Sequence, residues 1–258
     1  MFIDAHAHLD KYNDDDVERV LAQIEQDQIL TLSVSVDERS FLRSEAIAAR
    51  SPLVVPSFGI HPAEAPRFVH SLDEVEDTVL RSPLIGEIGL DHRFVTDTSQ
   101  FDAQRTVFRR FLTWAAEQNK IVNLHCAGAE QDTARMLSDH HTERAIVHWY
   151  SGPLDDLTQL IQKGCMFSVG VEIRQSDHIR QIARMIPSTQ LLTETDNPGG
   201  LRWLTEESGY PTVIASVVDE LARVREVSSA SLLEEVRSNM ANLIRDDPHM
   251  RPWLASLA

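Results

Sequence analysis

The sequence predicts an α/β fold, a (β/α)8 TIM barrel, on three observations. Short β-branched runs alternate with segments of helical period along the chain. Eight strands can be counted, each followed by a helix, and repeated β-α units imply parallel strands joined by right-handed crossovers. Polar residues gather at the ends of these strands, where the active sites of barrels lie. An open, doubly wound sheet is the alternative, because periodicity alone does not exclude it.

The predicted strands are short runs of β-branched and other apolar residues. Several of them run directly into polar residues, which mark the ends that carry chemistry. In chain order they cover residues 2–9, 29–36, 54–60, 84–90, 121–126, 145–149, 165–171 and 190–195.

The predicted helices carry apolar residues at positions i, i+3, i+4 and i+7. Ser71 and Glu74 have the spacing of a capping box, which predicts that a helix begins there. Gly164 predicts the end of another helix. The helical segments include residues 17–24, a stretch ending near 49, the stretch after 71, 107–115, 136–137, 154–161, 179–185, 211–224 and 231–244.

Length and composition fit one large domain. The chain has 258 residues, 42% of them hydrophobic, and shows no linker or low-complexity segment. We therefore expect residues 1–258 to form a single barrel domain. The segment 246–253 docks either on the barrel or on a partner, and the sequence does not distinguish these alternatives.

The net charge of −16 argues against broad nonspecific binding to duplex DNA, which depends on Lys and Arg. The negative net charge does not exclude an anionic substrate, because bound cations can reverse the local electrostatic field of a site. No stretch approaches the roughly 20 apolar residues that cross a bilayer, so no membrane contact is expected. The N-terminus leaves no room for a signal peptide, and Cys126 and Cys165 lie in apolar runs. These features predict reduced, buried cysteines and a cytoplasmic protein.

The first strand carries His6 and His8 on one face, with Asp4 one layer behind them, because side chains alternate along a strand. Two imidazoles at this spacing can hold one divalent ion. A lone His-x-His pair is nevertheless more often a polar strand end with two buried core histidines. The other strands must decide between these interpretations.

Six of the eight strands carry an imidazole or a carboxylate at the same end. Imidazole and carboxylate together suit Zn, Mn or Fe. Glu87, within the fourth strand, could bridge two ions roughly 3.5–4 Å apart. Asp196, after the eighth strand, could act as a general base or could only cap a turn. Glu194 is interpreted as a buried structural partner, and His70, His140, His141, His178 and His249 as surface residues. Beyond His6 and His8, the candidates are His61, Glu87, His125, His148 and Asp196.

These motifs together resemble the TatD family of metal-dependent hydrolases, in the amidohydrolase superfamily. Their order and spacing cover nearly the whole chain. The matching segments are residues 4–9 (DAHAHL), 59–62 (GIHP), 86–91 (GEIGLD), 124–126 (LHC), 147–148 with 151–152, and 194–196 (ETD), with a weaker match over 231–239.

The resemblance implies a TIM barrel with two divalent metal ions, Zn, Mg or Mn, and a deoxyribonuclease or phosphodiesterase activity on DNA. It also implies protein partners from bacterial defence cassettes, in which similar divergent members occur. His61 falls where the family has a substrate-contacting histidine. The implied metal ligands are His6, His8 and Asp196 for one ion, His125 and His148 for the second, and Glu87 as the bridge, with Asp196 also serving as the catalytic base.

The chain departs from the family in segments that face the substrate. Residues 127–129 read Ala-Gly-Ala where relatives have Arg-Glu-Ala, so an arginine that could bind phosphate is absent. Segments 148–152 and 207–211 also differ. Four basic residues just past strand ends could replace the arginine or could be solvated loop charges, and we expect Arg174 and Arg202 to bind substrate. The four are Lys11, Arg93, Arg174 and Arg202.

The leading interpretation is a divalent-metal-dependent hydrolase of phosphodiester bonds at DNA ends or in single strands, because intact duplex cannot easily reach a recessed metal. One alternative is an amide, ester or lactone hydrolase, which the ligand set does not distinguish. Another is a non-catalytic barrel subunit of a larger complex. A non-catalytic barrel does not require six candidate metal ligands that converge on one site. Their convergence therefore favours an enzyme.

Overall fold

The computed structural model describes residues 1–257. It contains one eight-stranded sheet in which successive strands pair in parallel, in chain order. The strands are β1 (Phe2–Ala7), β2 (Ile29–Val34), β3 (Val54–Phe58), β4 (Leu84–Asp91), β5 (Val122–Ala127), β6 (Ala145–His148), β7 (Met166–Val169) and β8 (Leu191–Thr193).

Polar contacts between the first and last strands close the sheet into a barrel. The backbone amide of Asp196 donates to the carbonyl of His6 over 2.9 Å. The Asp4 carboxylate accepts from the Thr195 amide over 2.9 Å and from its hydroxyl over 2.6 Å. The (β/α)8 TIM barrel predicted from the sequence is therefore confirmed.

Helices connect the strands and cover the outside of the barrel. In the described residues they are α1 (Asp14–Gln26), α2 (Glu38–Ala48), α3 (Ala65–Phe68), α4 (Glu76–Arg81), α5 (Phe101–Gln118), α6 (Glu130–Asp139), α7 (Leu154–Gln162), α8 (Asp177–Met185), α9 (Gly199–Thr205), α10 (Val213–Arg225), α11 (Ser229–Ile244) and α12 (Arg251–Leu254). Within residues 1–257, no helix has the length and apolarity needed to cross a bilayer.

The strands are buried on both faces, as parallel strands covered by helices must be. Only Phe2, Pro56 and His125 among the strand residues are more than marginally exposed. A helix–sheet core packs outside the barrel, where Phe111 of α5 contacts Trp114 and also Phe58 of β3 at ring distances of 5.2 and 5.9 Å. The rigid strands therefore fix the positions of the side chains at their ends.

The predicted capping box at Ser71 is wrong. Residues Leu72–Val75 form a 3-10 turn, the Ser71 side chain makes no capping bond, and α4 begins only at Glu76. Ser71 has φ −131° and ψ 23°, which is not the extended backbone that brings an N-cap oxygen to the following amides. The helix that does begin with a capping box is α2, in which Asp37 and Ser40 exchange hydrogen bonds.

The C-terminal segment docks on the barrel. Met250 is fully buried in the main core cluster. A carboxylate oxygen of Asp247 lies 2.9 Å from Nη1 of Arg144, the residue just before β6. The segment therefore covers the N-terminal end of the strands, the end of a barrel that is associated with stability.

Candidate metal centre

Four donor atoms, from β1 and the residue after it, from β4 and from the segment after β8, converge at the C-terminal end of the barrel. Oε2 of Glu87 lies 3.8 Å from Nε2 of His6 and 3.4 Å from Nε2 of His8. Oδ1 of Asp196 has the same two distances, 3.8 and 3.4 Å. Ligands bound tetrahedrally at about 2.1 Å from one ion are themselves about 3.4 Å apart. The distances from these imidazole nitrogens to each carboxylate oxygen are therefore of the size that one divalent cation requires.

The other oxygen of Glu87 faces a second set of donors. Oε1 lies 2.9 Å from Nδ1 of His125 and 3.0 Å from Nε2 of His148. These two nitrogens are 3.3 Å apart. Glu87 thus presents one carboxylate oxygen to each set, which is the arrangement of a bridging ligand.

Glycines allow the backbone to approach closely around Glu87. The pairing of β4 with β5 shifts register between Ile85 and Ile88, so Glu87 lies at an irregularity that redirects its side chain. Gly89 has φ +143°, and a Cβ atom there would lie 2.0 Å from the carbonyl oxygen of His125. A side chain at position 89 would therefore separate β4 from β5.

Residues behind the donors fix the orientation of the imidazoles. Asn123 accepts from Nδ1 of His6 over 2.8 Å, and its amide group donates to the Ala5 carbonyl over 2.7 Å. This second bond sets which end of the Asn123 side chain faces His6. His6 therefore carries its proton on Nδ1 and directs the lone pair of Nε2 into the site.

Carboxylates lie behind the two histidines of the second set. Oδ2 of Asp91 is 3.3 Å from Nε2 of His125. Oε2 of Glu194 is 3.9 Å from Nδ1 of His148 and accepts from the Ser168 hydroxyl over 2.5 Å. Such carboxylate–imidazole pairs orient metal-binding histidines. Glu194, expected as a buried structural partner, is too far from Nδ1 of His148 for a hydrogen bond, but it accepts from the Trp149 amide over 2.8 Å and so fixes the backbone next to His148.

The protonation states of Glu87 and His6 favour cation binding, whereas that of His125 does not. In His125 the effect of burial is outweighed by Asp91 and Glu87, which raise its pKa to about 9, so this imidazole must release a proton before it binds metal. Burial acts to raise the pKa of Glu87, but the imidazoles of His61, His125 and His148 outweigh it and hold that pKa well below its usual range. Burial, with the neighbouring His148, lowers the pKa of His6 well below its ordinary value. An anionic bridging carboxylate and a neutral imidazole are the protonation states that metal ligation requires.

A buried nitrogen without a partner supports this interpretation. Nε2 of His6 is buried and has no hydrogen-bond partner among the described residues. An unsatisfied buried polar group costs about 1–3 kcal/mol. A cation held by His6, His8 and Glu87, which are close enough to share one, would remove this cost.

His61 lies at the edge of the second set. Its Nε2 is 3.6 Å from Oε1 of Glu87. Its Nδ1 accepts a hydrogen bond from the Ala63 amide over 3.2 Å, and burial lowers its pKa to about 4. A neutral His61 therefore carries its proton on Nε2 and points an N–H group into the site, so it is better suited to contact substrate than to bind metal.

A cavity of about 660 Å³ opens above the donors. The candidates Arg174 and Arg202 are exposed and are not among the residues that line it, whereas Arg93 is. His178, expected on the surface, also lines the cavity. In the sequence, Arg93 is marked only by its position two residues after the end of β4. The other basic candidates also lie just past strand ends, so this position does not distinguish Arg93 from them. Lining residues include His61, Asp91, Arg93, Phe94, His125, Ala127, His148, Trp149, His178, Asp196, Gly199 and Trp203.

Known proteins resemble this chain in sequence and in fold. The human protein named deoxyribonuclease TATDN3 is 27% identical over 265 residues, covering 96% of each chain. The uncharacterized metal-dependent hydrolase YabD of Bacillus subtilis is 24% identical, covering 95% of this chain and 99% of its own. The crystal structure of YJJV, a TatD homologue from Escherichia coli K12, superposes with a TM-score of 0.80 at 25% identity over 94% of this chain and 97% of its own. A model of the family described as TatD-related DNase matches residues 3–245, and the chain therefore belongs to this family of metal-dependent hydrolases.

Proposed function

We propose that the chain is a divalent-metal-dependent phosphodiesterase that cleaves DNA at ends or in single strands. The observation that carries the proposal is Glu87, whose two oxygens face two separate sets of donors. Three of these donors, His125, His148 and Asp196, line one cavity. The deoxyribonuclease name of the human relative supports DNA as the substrate.

In this proposal, the donor sets hold two divalent ions, Zn, Mg or Mn. Such ions activate water and stabilise negative charge on a phosphoryl group. The first set is His6, His8 and Asp196, the second is His125 and His148, and Glu87 belongs to both.

Two residues act on the reacting atoms. Asp196 is the most exposed of the six proposed ligands, with 22% of its side chain accessible, so its carboxylate can accept a proton from the attacking water. His61 directs an N–H group toward the second set and can donate it to a phosphoryl oxygen. Asn123 and Asp91 lie behind the imidazoles of His6 and His125 and hold them in place.

The depth of the site favours flexible substrates. All six proposed ligands except His125 and Asp196 are buried, and the cavity above them is the route by which a phosphate reaches them. A rigid duplex cannot bend a single phosphate into such a recess, whereas an end or an unpaired strand can. We therefore propose single-stranded DNA or DNA ends as the substrate.

Metal analysis of the purified protein, followed by a substrate panel, tests this function. The panel is single-stranded DNA, RNA, a chromogenic phosphodiester and a chromogenic carboxylic ester. We expect metal-dependent phosphodiester cleavage that is lost in Asp196→Asn and in Glu87→Ala. Cleavage that survives Asp196→Asn would show a contaminating nuclease or a wrong mechanism. Ester cleavage alone would establish the amide, ester or lactone hydrolase, and metal binding without hydrolysis would establish a non-catalytic barrel.

The proposal covers the whole chain as one functional unit. The ligands come from β1, β4, β5, β6 and the end of β8, so residues 1–258 are proposed to act as a single domain. A cytoplasmic location and protein partners from a defence cassette stay predictions.

A further inference from the structure

Two exposed aromatic side chains stand at the mouth of the cavity. Phe94 is 57% exposed and Trp203 is 72% exposed, and both line the cavity above the donors. Their ring centroids are 6.0 Å apart with planes at 83°, so the edge of one ring faces the other. Phe94 follows β4 and Trp203 belongs to α9, so the pair is assembled from distant parts of the sequence.

Each aromatic residue is anchored next to a proposed metal ligand. Oδ1 of Asp91 accepts from the amide of Phe94 over 2.8 Å, while Oδ2 of Asp91 contacts His125. On the other side, α9 begins three residues after Asp196, and the Gly200 amide donates to the Asp196 carbonyl over 2.6 Å. The backbone that carries the aromatic pair is therefore held close to both donor sets.

The rest of the cavity offers little to a polyanion. Arg93 is the one Lys or Arg among the described residues that line it, and Nη1 of Arg93 donates to the Ser151 hydroxyl over 3.0 Å. Much of the wall is apolar, with Ala127 and Trp149 among its residues. DNA affinity that rests on phosphate contacts requires several cations. In a chain with a net charge of −16, protein cations are too few to hold a strand, so an interaction with the bases would add to what the proposed metal ions contribute.

We propose that Phe94 and Trp203 form a nucleobase-binding subsite, which stacks a base of the substrate strand next to the cleaved phosphate. Arg93 then binds one flanking phosphate. Exposed aromatic rings hold single strands in this way without reading sequence, because every base presents a flat face. The inference rests on the proposed function and narrows it to strands whose bases are unpaired near the cut.

The test compares two single-stranded oligonucleotides that differ only in their bases. One carries normal nucleotides throughout, and the other carries abasic tetrahydrofuran residues at both terminal positions of each end. We expect kcat/KM to be about 10-fold higher or more for the normal strand, in line with the contribution of a stacked base. Trp203→Leu and Phe94→Leu should bring this ratio close to one, because leucine is apolar but has no aromatic face. Trp203→Phe should keep most of the preference.

Leu80→Ala is the matched control, because Leu80 is 50% exposed but lies outside the cavity lining. It should leave the ratio unchanged. Binding of the same two oligonucleotides, labelled with fluorescein and followed by anisotropy, gives a second measurement that does not require cleavage. We expect the wild-type preference for the normal strand to disappear in the two leucine variants.

The outcomes separate the inference from the proposed function. If the wild type cleaves DNA but the leucine variants keep the full preference for the normal strand, the subsite is wrong and the phosphodiesterase stands. If the wild type cleaves neither oligonucleotide, the phosphodiesterase fails, and the anisotropy measurement alone decides the subsite. Equal binding of the two oligonucleotides by the wild type would overturn the subsite.

Discussion

The side-chain oxygen of Asn123 accepts a hydrogen bond from Nδ1 of His6 over 2.8 Å. Because the Asn123 amide group is itself bound to the Ala5 carbonyl, its oxygen cannot turn away from His6 without breaking a second bond. One asparagine on β5 thus determines the tautomer of a histidine on β1. The proposed metal centre therefore depends on a residue that binds no metal.

Asn123→Ala should lower the affinity for divalent metal by about 10- to 100-fold, the usual cost of losing a partner behind a ligand. The imidazole of His6 would then be free to take either tautomer. Competition with a chromogenic chelator measures the affinity. Asn13→Ala is the control, since Asn13 caps α1 through its bond to the Asp16 amide. It should cost about 1 kcal/mol of stability and leave metal affinity unchanged. Equal affinity in Asn123→Ala and wild type would contradict this role.

Glu194→Ala should reduce metal binding at the second donor set while the first is kept. Glu194 accepts from the Trp149 amide over 2.8 Å and from the Ser168 hydroxyl, so it fixes the backbone next to His148. The variant should also lose about 1–3 kcal/mol of stability, because the Trp149 amide is left without its acceptor. Metal content per chain, measured at fixed free metal, should fall from two ions toward one.

Ser168→Ala separates the two effects of Glu194. It removes one hydrogen bond to Glu194 but leaves the bond from the Trp149 amide, so the metal content should stay near that of the wild type. An unchanged metal content in Glu194→Ala would show that His148 does not need this carboxylate.

The sequence could predict the barrel and the meeting of the candidate ligands, because both follow from strand order. The ends of parallel strands share one rim, so residues at those ends must approach one another. The position of Arg93 depends instead on a loop that is held by hydrogen bonds to the Asp91 carboxylate. Strand periodicity contains no information about such bonds, so it gives no reason to prefer Arg93 over Arg174 or Arg202.

The sequence does not predict helix α9, for a related reason. Its first residues, Gly199 and Gly200, form a glycine pair, which is typical of a loop. In the structure, a Cβ atom at Gly200 would lie 2.2 Å from the carbonyl oxygen of Thr195, so glycine is needed for close packing within a helix. A glycine pair has the same appearance in both situations, and only the tertiary contact distinguishes them. The exposed Trp203, which α9 carries, could not be placed at the cavity without it.

Asp247→Asn should destabilise the protein and leave metal binding intact. The Asp247 side chain is fully buried against Arg144 at the end of the barrel opposite the donors. Breaking a buried ion pair costs about 3–5 kcal/mol, and we expect the low end because the Arg144 side chain stays 19% exposed. Urea unfolding measures the loss. Glu234→Gln, which breaks the exposed pair with Arg237, is the control and should change stability little.

Lys120 should make the stability of the protein rise with pH in the alkaline range. Its side chain is 2% exposed, and Nζ donates to the carbonyl oxygens of Val79 and Leu80 near the end of α4 over 2.5 and 2.8 Å. Burial lowers its pKa from 10.5 to about 8. Between these values the unfolded chain holds a proton that the folded protein has released, so the free energy of unfolding increases as the pH rises.

Lys120→Met should remove this dependence, so the stability difference between wild type and variant should change by roughly 3 kcal/mol between pH 8 and 10.5, at about 1.4 kcal/mol for each pKa unit. Urea unfolding at several pH values across this window measures it, and the comparison cancels other groups that titrate in both proteins. Lys163→Met is the control, because Lys163 is exposed, and it should leave the slope of the wild type unchanged. Parallel pH profiles for wild type and Lys120→Met would show that Lys120 keeps its ordinary pKa. The two carbonyl oxygens would then compensate fully for burying the charge.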